Sequence, residues 1–282
     1  PYDELQRAGA NLRGLMRISL FKRFQSSVEA FRETLRKQTH IHQQFLAALE
    51  NGIVAAGEDA QQVMYLAAEQ DEEVDLRDAL ERAAGRYEIV EPITPERDAK
   101  LQKLLETISA LGTAKCLIFT QYADTAPYLY EEIRKATGRT DVEVISSENK
   151  DRTSLIYRFA PVANPALQPK GHADLTPINL LVATDVLSEG LNLQDAQIVI
   201  NYDLHWNPVR LIQRFGRIDR IGSAHDEIYG YNFLPETELD RHLGLTERLT
   251  SRIMEIHETI GEDAAVLDPS EQLNEDAMYV IY

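Results

Sequence analysis

The stretch NPVRLIQRFGRIDRIG, residues 207–222, carries four arginines, Arg210, Arg214, Arg217 and Arg220, with Asp219 the one acid among them. Its spacing predicts a helix over 208–218. At 100° per residue, Arg210, Arg214 and Arg217 fall within about 60° of one another with Gln213 beside them, while Leu211, Ile212, Phe215 and Ile218 cover the other side. One face is expected to pack and the other to present guanidinium groups. Either these arginines pair with acids elsewhere in the chain, or they meet phosphate, which a rigid and permanently charged fork binds bidentately.

Upstream, QIVINYD (197–203) and INLLVATD (178–185) are apolar runs of the kind shown by strands buried on both faces. CLIFTQ (116–121), DVEVISS (141–147) and EIYGYNFL (227–234) also read as strands. Helices are predicted from Thr94, read as an N-cap with Pro95 at the first helical position, through to Gly112, and then over 126–138, 154–159 and 236–260. Strands alternating with helices imply a parallel α/β sheet, in which ligands gather beyond the carboxyl ends of the strands. VATDVLSEGLNLQDA (182–196) runs off such an end and offers the Thr184 hydroxyl and, at Gly190, room for close backbone approach, although any α/β turn offers as much. Pro161, Pro165, Pro169 and Pro177 mark a long loop over 160–177, which is either an insertion contacting nucleic acid or a surface loop.

Taken together, these stretches resemble the second RecA-like lobe of superfamily two helicases and translocases, and within them the Swi/Snf-like, RapA-like group. CLIFTQY (116–122) is similar to motif IV of that family and VATDVLSEGLNLQ (182–194) to motif V. NYDLHWNPVRLIQRFGRIDRIG (201–222) is similar to its Y-D-x-x-W-N-P segment running into motif VI, Q-R-x-G-R-x-x-R-x-G. The resemblance covers residues 92–235. It implies a RecA-like parallel sheet flanked by helices, preceded by a helical segment over 1–91 and followed by a C-terminal helix and acidic tail over 236–282.

The same resemblance implies that Arg217 and Arg220 are arginine fingers reaching across an interlobe cleft to the phosphates of ATP, with Gln213 near those phosphates. Gly190 and Glu189 would approach the nucleotide, and Thr184 the nucleic-acid backbone. ATP with Mg would be held mainly by a first lobe, because no G-x-x-x-x-G-K-[ST] phosphate loop occurs in the chain. The expected whole is an ATP-dependent DNA translocase or helicase acting on duplex DNA, and this part alone is expected not to hydrolyse ATP. A DEAD-box RNA helicase fits less well, since motif VI opens on Gln213 rather than His and W-N-P precedes it. The alternative from another class is a non-catalytic docking or regulatory module that retains the lobe. Trp206 is expected to anchor the motif VI helix, and His205, where relatives often carry Pro, to be structural.

Residues 18–51 place Phe21, Phe24, Val28, Phe31 and Leu35 at helical spacing, which predicts one long amphipathic helix with a core-facing seam, closed by Asn51-Gly52. Its KRFQSSVEAFRETL (22–35) looks like the helical insertion such proteins carry before this lobe. Asp71-Glu72-Glu73-Val74 superficially resembles a Mg-binding acidic motif, but neither a buried strand nor a phosphate loop precedes it.

The chain has 282 residues, 44% of them hydrophobic and 27% charged, a globular composition without the apolar run of a membrane span. Cys116 is the sole cysteine, which excludes an internal disulfide and a cysteine-built zinc site and fits a cytoplasmic setting. The polar opening from Pro1, with no initiator Met, is expected of a piece of a longer protein without a signal peptide. A net charge of −17 argues against a general nucleic-acid binder until it is mapped. Residues 58–84 carry nine acids against two bases and residues 236–282 twelve against three, which accounts for all but one of the excess negative charges. The acidic segments are either solvated helical faces or a surface for a protein partner, and the region between them is nearly neutral.

Overall fold

The computed structural model describes residues 17–50, 90, 92–146, 151–169, 176–185, 191–205, 207–220 and 222–251. The chain divides into two compact units, residues 1–94 and 95–282.

In the first unit the predicted single helix is two helices, α1 (17–26) and α2 (Val28–Glu50), parted at Ser27. The break is a cap: the Ser27 hydroxyl accepts from Ala30 N at 3.0 Å and so starts α2 afresh. Leu35 is buried, but Phe24 is 42% exposed and meets Phe31 edge-on, so the aromatic seam is only partly core. Arg32 of α2 donates to the Ile93 carbonyl at 2.7 Å, fixing the end of the unit. The Asn51-Gly52 stop and the acidic stretch 58–84 lie outside the described residues.

The second unit is a five-stranded, wholly parallel sheet flanked by helices, the architecture expected of a RecA-like lobe. In chain order it runs α3 (Ala99–Leu111), β1 (Cys116–Thr120), α4 (Thr125–Thr137), β2 (Val142–Ile145), α5 (Arg152–Phe159), β3 (Leu180–Thr184), β4 (Ile198–Asn201), α6 (Pro208–Phe215), β5 (Tyr229–Asn232) and α7 (Thr237–Leu243). The strand order is β2-β3-β1-β4-β5. β1, β3 and β4 are buried at every residue, as their unbroken apolar runs require.

Alternate residues of β1 serve opposite faces. Cys116 and Ile118 pack with Leu101 and Leu104 of α3 and Leu129 of α4, while Leu117 and Phe119 pack with Ile156 and Phe159 of α5 and with Ile218. The chain leaves β1 toward β2 and leaves β4 toward β5, so the two adjacent central strands form a topological switch point.

Two helix starts differ from expectation. Pro95–Arg97 is a separate 3₁₀ turn, and α3 is capped by Asp98, whose Oδ1 accepts from Leu101 N at 3.0 Å. Asp98 wins over Thr94 because its second oxygen also accepts from the Tyr128 hydroxyl at 3.0 Å, tying α3 to α4. Asp98→Ala should therefore destabilise this unit by about 1–2 kcal/mol in urea unfolding, at the upper end for a cap. At the other end, the helix predicted over 236–260 breaks at Gly244, which has φ 57°, and resumes over 245–251. Asp240 Oδ1 accepts from Leu245 N at 2.9 Å and caps the second piece. Among the described residues no helix is long and apolar enough to cross a membrane.

Candidate functional site

Polar residues gather at the switch point, beyond the ends of β1 and β4. Asp203 is 1% exposed. Its Oδ2 accepts from the Thr120 hydroxyl and, at 3.1 Å, from Gln121 N, while Oδ1 pairs with Lys100 Nζ at 3.1 Å. Burial pulls the Lys100 ammonium below its ordinary range, against the opposing field of Asp203. Gln121 Nε2 donates to Leu204 O at 2.6 Å, and Asn201 Nδ2 to Asn232 Oδ1 at 2.8 Å. These bonds stitch β1, β4 and β5 together where a ligand face would form.

α6 is set into this edge by an arginine. The Arg214 guanidinium is fully buried. Its Nε donates to Asp185 Oδ1 at 2.8 Å, Nη2 lies 2.7 Å from the same oxygen, and Nη1 donates to Asn201 Oδ1 at 2.9 Å and to the Asp203 carbonyl at 3.0 Å. The fork also lies 5.0 Å from the centre of the Phe119 ring. Arg214 thus holds the end of β3, through Asp185 next to Thr184, against the end of β4.

This corrects the expected guanidinium face. Pro208, Leu211 and Arg214 are the buried positions of α6, and the helix ends at Phe215 rather than 218, so Arg217 does not share its face. Acids and amides 13 and 29 residues away turn Arg214 inward. Asn207 caps α6, its Oδ1 accepting from Val209 N at 3.1 Å, and His205 Nδ1 accepts from Asn207 N at 2.9 Å. Burial lowers the pKa of His205, which keeps the ring in the neutral form that can accept this bond. Trp206 lies outside the described residues.

The segment after α6 carries the predicted fingers. Gly216 follows the helix, Arg217 is half-buried and Arg220 is exposed. The Arg217 carbonyl accepts from Leu193 N at 3.0 Å, and Arg220 Nη1 donates to Asn192 Oδ1. The 217–220 turn therefore lies against the 191–195 stretch that follows Gly190 in the sequence. Gln213 is half-buried, with its Oε1 shielded and without a hydrogen bond among the described residues. Thr184 is 6% exposed, the last residue of β3 and in register with Thr120. Glu189 and Gly190 lie outside the described residues. On β5, a Cβ at Gly230 would come 2.3 Å from Phe215 Cζ, so glycine lets that ring lie across the strand.

The structure thus brings Thr184 beside the Arg214 lock, next in sequence to Gln213, and Arg220 beside Asn192. Sequence reasoning missed Asp185, Asn192, Asn201 and Asp203. Their one signal is a polar residue directly after an apolar run, or within a motif-like loop, which many unrelated turns share. Arginines on a short turn suit phosphate oxygens on one side. Among the described residues no group of three or more His, Cys, Asp or Glu could hold a metal ion.

Residues 99–222 match the helicase conserved C-terminal domain, and the chain carries that domain. It is 40% identical over 85 residues to an uncharacterized ATP-dependent helicase, YqhH, of Bacillus subtilis, covering 30% of this chain and 15% of that protein. It is 32% identical over 140 residues to the RNA polymerase-associated protein RapA of Vibrio cholerae, covering 50% and 13%. It is 28% identical over 172 residues to the ATP-dependent RNA helicase DBP8 of Scheffersomyces stipitis, covering 61% and 34%. The matches span between 13% and 34% of the length of these relatives.

Proposed function

We propose that this chain is the second motor lobe of an ATP-dependent DNA translocase or helicase of the Swi/Snf-like kind. The observation that carries the reading is the placement of Arg217 and Arg220 just beyond a helix locked into the sheet edge through Arg214. Donors on so rigid a base keep their aim and lose little in reorganisation when charge develops on a phosphoryl group.

In this reading a companion lobe supplies the phosphate loop and the carboxylates that hold Mg, and ATP supplies the phosphoryl group that is transferred to water. Arg217 and Arg220 meet the phosphates from this side, with Gln213 near them. Gly190 and Glu189 approach the nucleotide, and Thr184 serves the nucleic-acid backbone. The acidic segments offer a surface to a basic protein partner.

Duplex DNA is favoured by Gln213 opening motif VI and by the W-N-P ahead of it, features that resemble the Swi/Snf-like group. RNA is favoured by the relatives named as RNA helicases. Titrating the protein expressed from its complete reading frame with duplex DNA and with RNA, and following ATP turnover, separates them. Duplex DNA should stimulate more strongly than RNA. The reverse would make the chain part of an RNA helicase, and no turnover with either would leave a docking module.

A further inference from the structure

We propose that residues 160–168, the first half of the proline-rich connection between α5 and β3, form a brace that positions Arg220 by way of Asn192. This rests on the reading of Arg220 as a finger.

The Asp195 carboxylate accepts from the main chain of the connection twice, from Val162 N and from Ala163 N, each at 2.8 Å. Asn164 Nδ2 donates to the Ala160 carbonyl at 2.9 Å and to the Asn192 carbonyl at 2.7 Å. The Asn164 carbonyl in turn accepts from Leu167 N at 3.0 Å, closing the Pro165–Leu167 turn behind it. Asn192 is therefore held through its own carbonyl by Asn164, and through the next residue by the bond from Leu193 N to the Arg217 carbonyl. Its side-chain oxygen is what Arg220 donates to.

An exposed arginine has many rotamers, and a single hydrogen bond narrows them only if the acceptor is itself fixed. Here the fixing comes from the connection. Val162 is 80% exposed and Ala163 packs against the core beside it, so what the connection gives Asp195 is its two backbone donors. The prolines at 161 and 165 limit the backbone freedom that such a clamp would otherwise have to freeze. Both ends of the 191–195 stretch, Asn192 and Asp195, are clamped by the same few residues. Asn164, Asn192 and Asp195 are positioning residues on this account, since none is assigned a contact with the reacting atoms.

The test is steady-state ATP turnover of the complete protein at saturating nucleic acid, for Arg220→Ala, Asn192→Ala, Asn192→Asp, Asn164→Ala and the double variant Asn164→Ala/Arg220→Ala. Asn192→Ala should lower kcat by about tenfold and Asn164→Ala by about threefold, with KM for ATP moving less than about twofold. Asn192→Asp, which keeps an acceptor oxygen in place, should recover most of the loss. Adding Asn164→Ala to Arg220→Ala should cost nothing further, because the brace would have nothing left to position. Should Asn164→Ala cost the same factor with or without Arg220, or Asn192→Asp behave as Asn192→Ala does, the brace is wrong while the finger stands. A normal kcat in Arg220→Ala overturns the finger and the brace together.

Discussion

Alanine at Arg217 or at Arg220 is expected to cut the nucleic-acid-stimulated ATP turnover of the complete protein by roughly 10³-fold or more, the size of effect arginine fingers have in phosphoryl transfer. The loss should fall on kcat. A finger accelerates only so far as it binds the transition state better than bound ATP, and charge spreads over the phosphoryl oxygens as the bond to the leaving group breaks. Lysine should not restore either position, because a single ammonium cannot present two parallel donors. The two sites differ in what else they touch. Arg220 is exposed and bonded by its side chain to Asn192, so Arg220→Ala should leave the urea unfolding midpoint of this chain unchanged. Arg217 is half-buried, but its carbonyl bond to Leu193 N survives substitution.

Arg214→Ala is the opposite case, a large loss of stability. It removes the ion pair with the half-buried Asp185 and leaves the buried Asn201 Oδ1 and the Asp203 carbonyl without the donor they share. Leaving these buried acceptors unmet costs about 3 kcal/mol. For a unit of this size that lowers the melting temperature on the order of 10 °C. Arg214→Lys should recover little, since one ammonium cannot reach acceptors on two strand ends at once. Urea unfolding of the chain checks this, and a change below about 1 kcal/mol would mean that the arginine contributes no lock.

Much of this lobe was legible because its three central strands are buried on both faces, so runs such as LLVAT and IVIN declare themselves by composition alone. Their boundaries came within about two residues. What stayed hidden was decided at long range. Helical spacing put Arg214 with Arg210 and Arg217 on one outward face, yet its partners sit on two strand ends that no local pattern joins to it. Thr94-Pro95 was a proper helix start by local rules and lost to Asp98, whose second bond goes to Tyr128 on another helix. Ser27 divided a pattern that reads as continuous, because a hydroxyl that caps and a hydroxyl that faces solvent look the same in sequence. The link from Asn164 through Asn192 to Arg220 joins three loops and leaves no periodic trace.

The charge follows the same logic. A net −17 by itself sets the chain against phosphate, but most of that charge lies in residues 58–84 and 236–282, outside the strands and the arginine-bearing stretch 207–222. Of the four arginines in residues 207–222, Arg214 builds the edge of the sheet, and on the proposed reading Arg217 and Arg220 serve the phosphates.

The most direct test of that division is the affinity of the complete protein for ADP with aluminium fluoride, a planar mimic of the phosphoryl group in flight, set against its affinity for ADP. Arg217→Ala and Arg220→Ala should each weaken binding of the mimic by about 100-fold or more while changing ADP affinity less than about threefold. Equal weakening of both ligands, or none for the mimic, would contradict the assignment of these two arginines to the transition state.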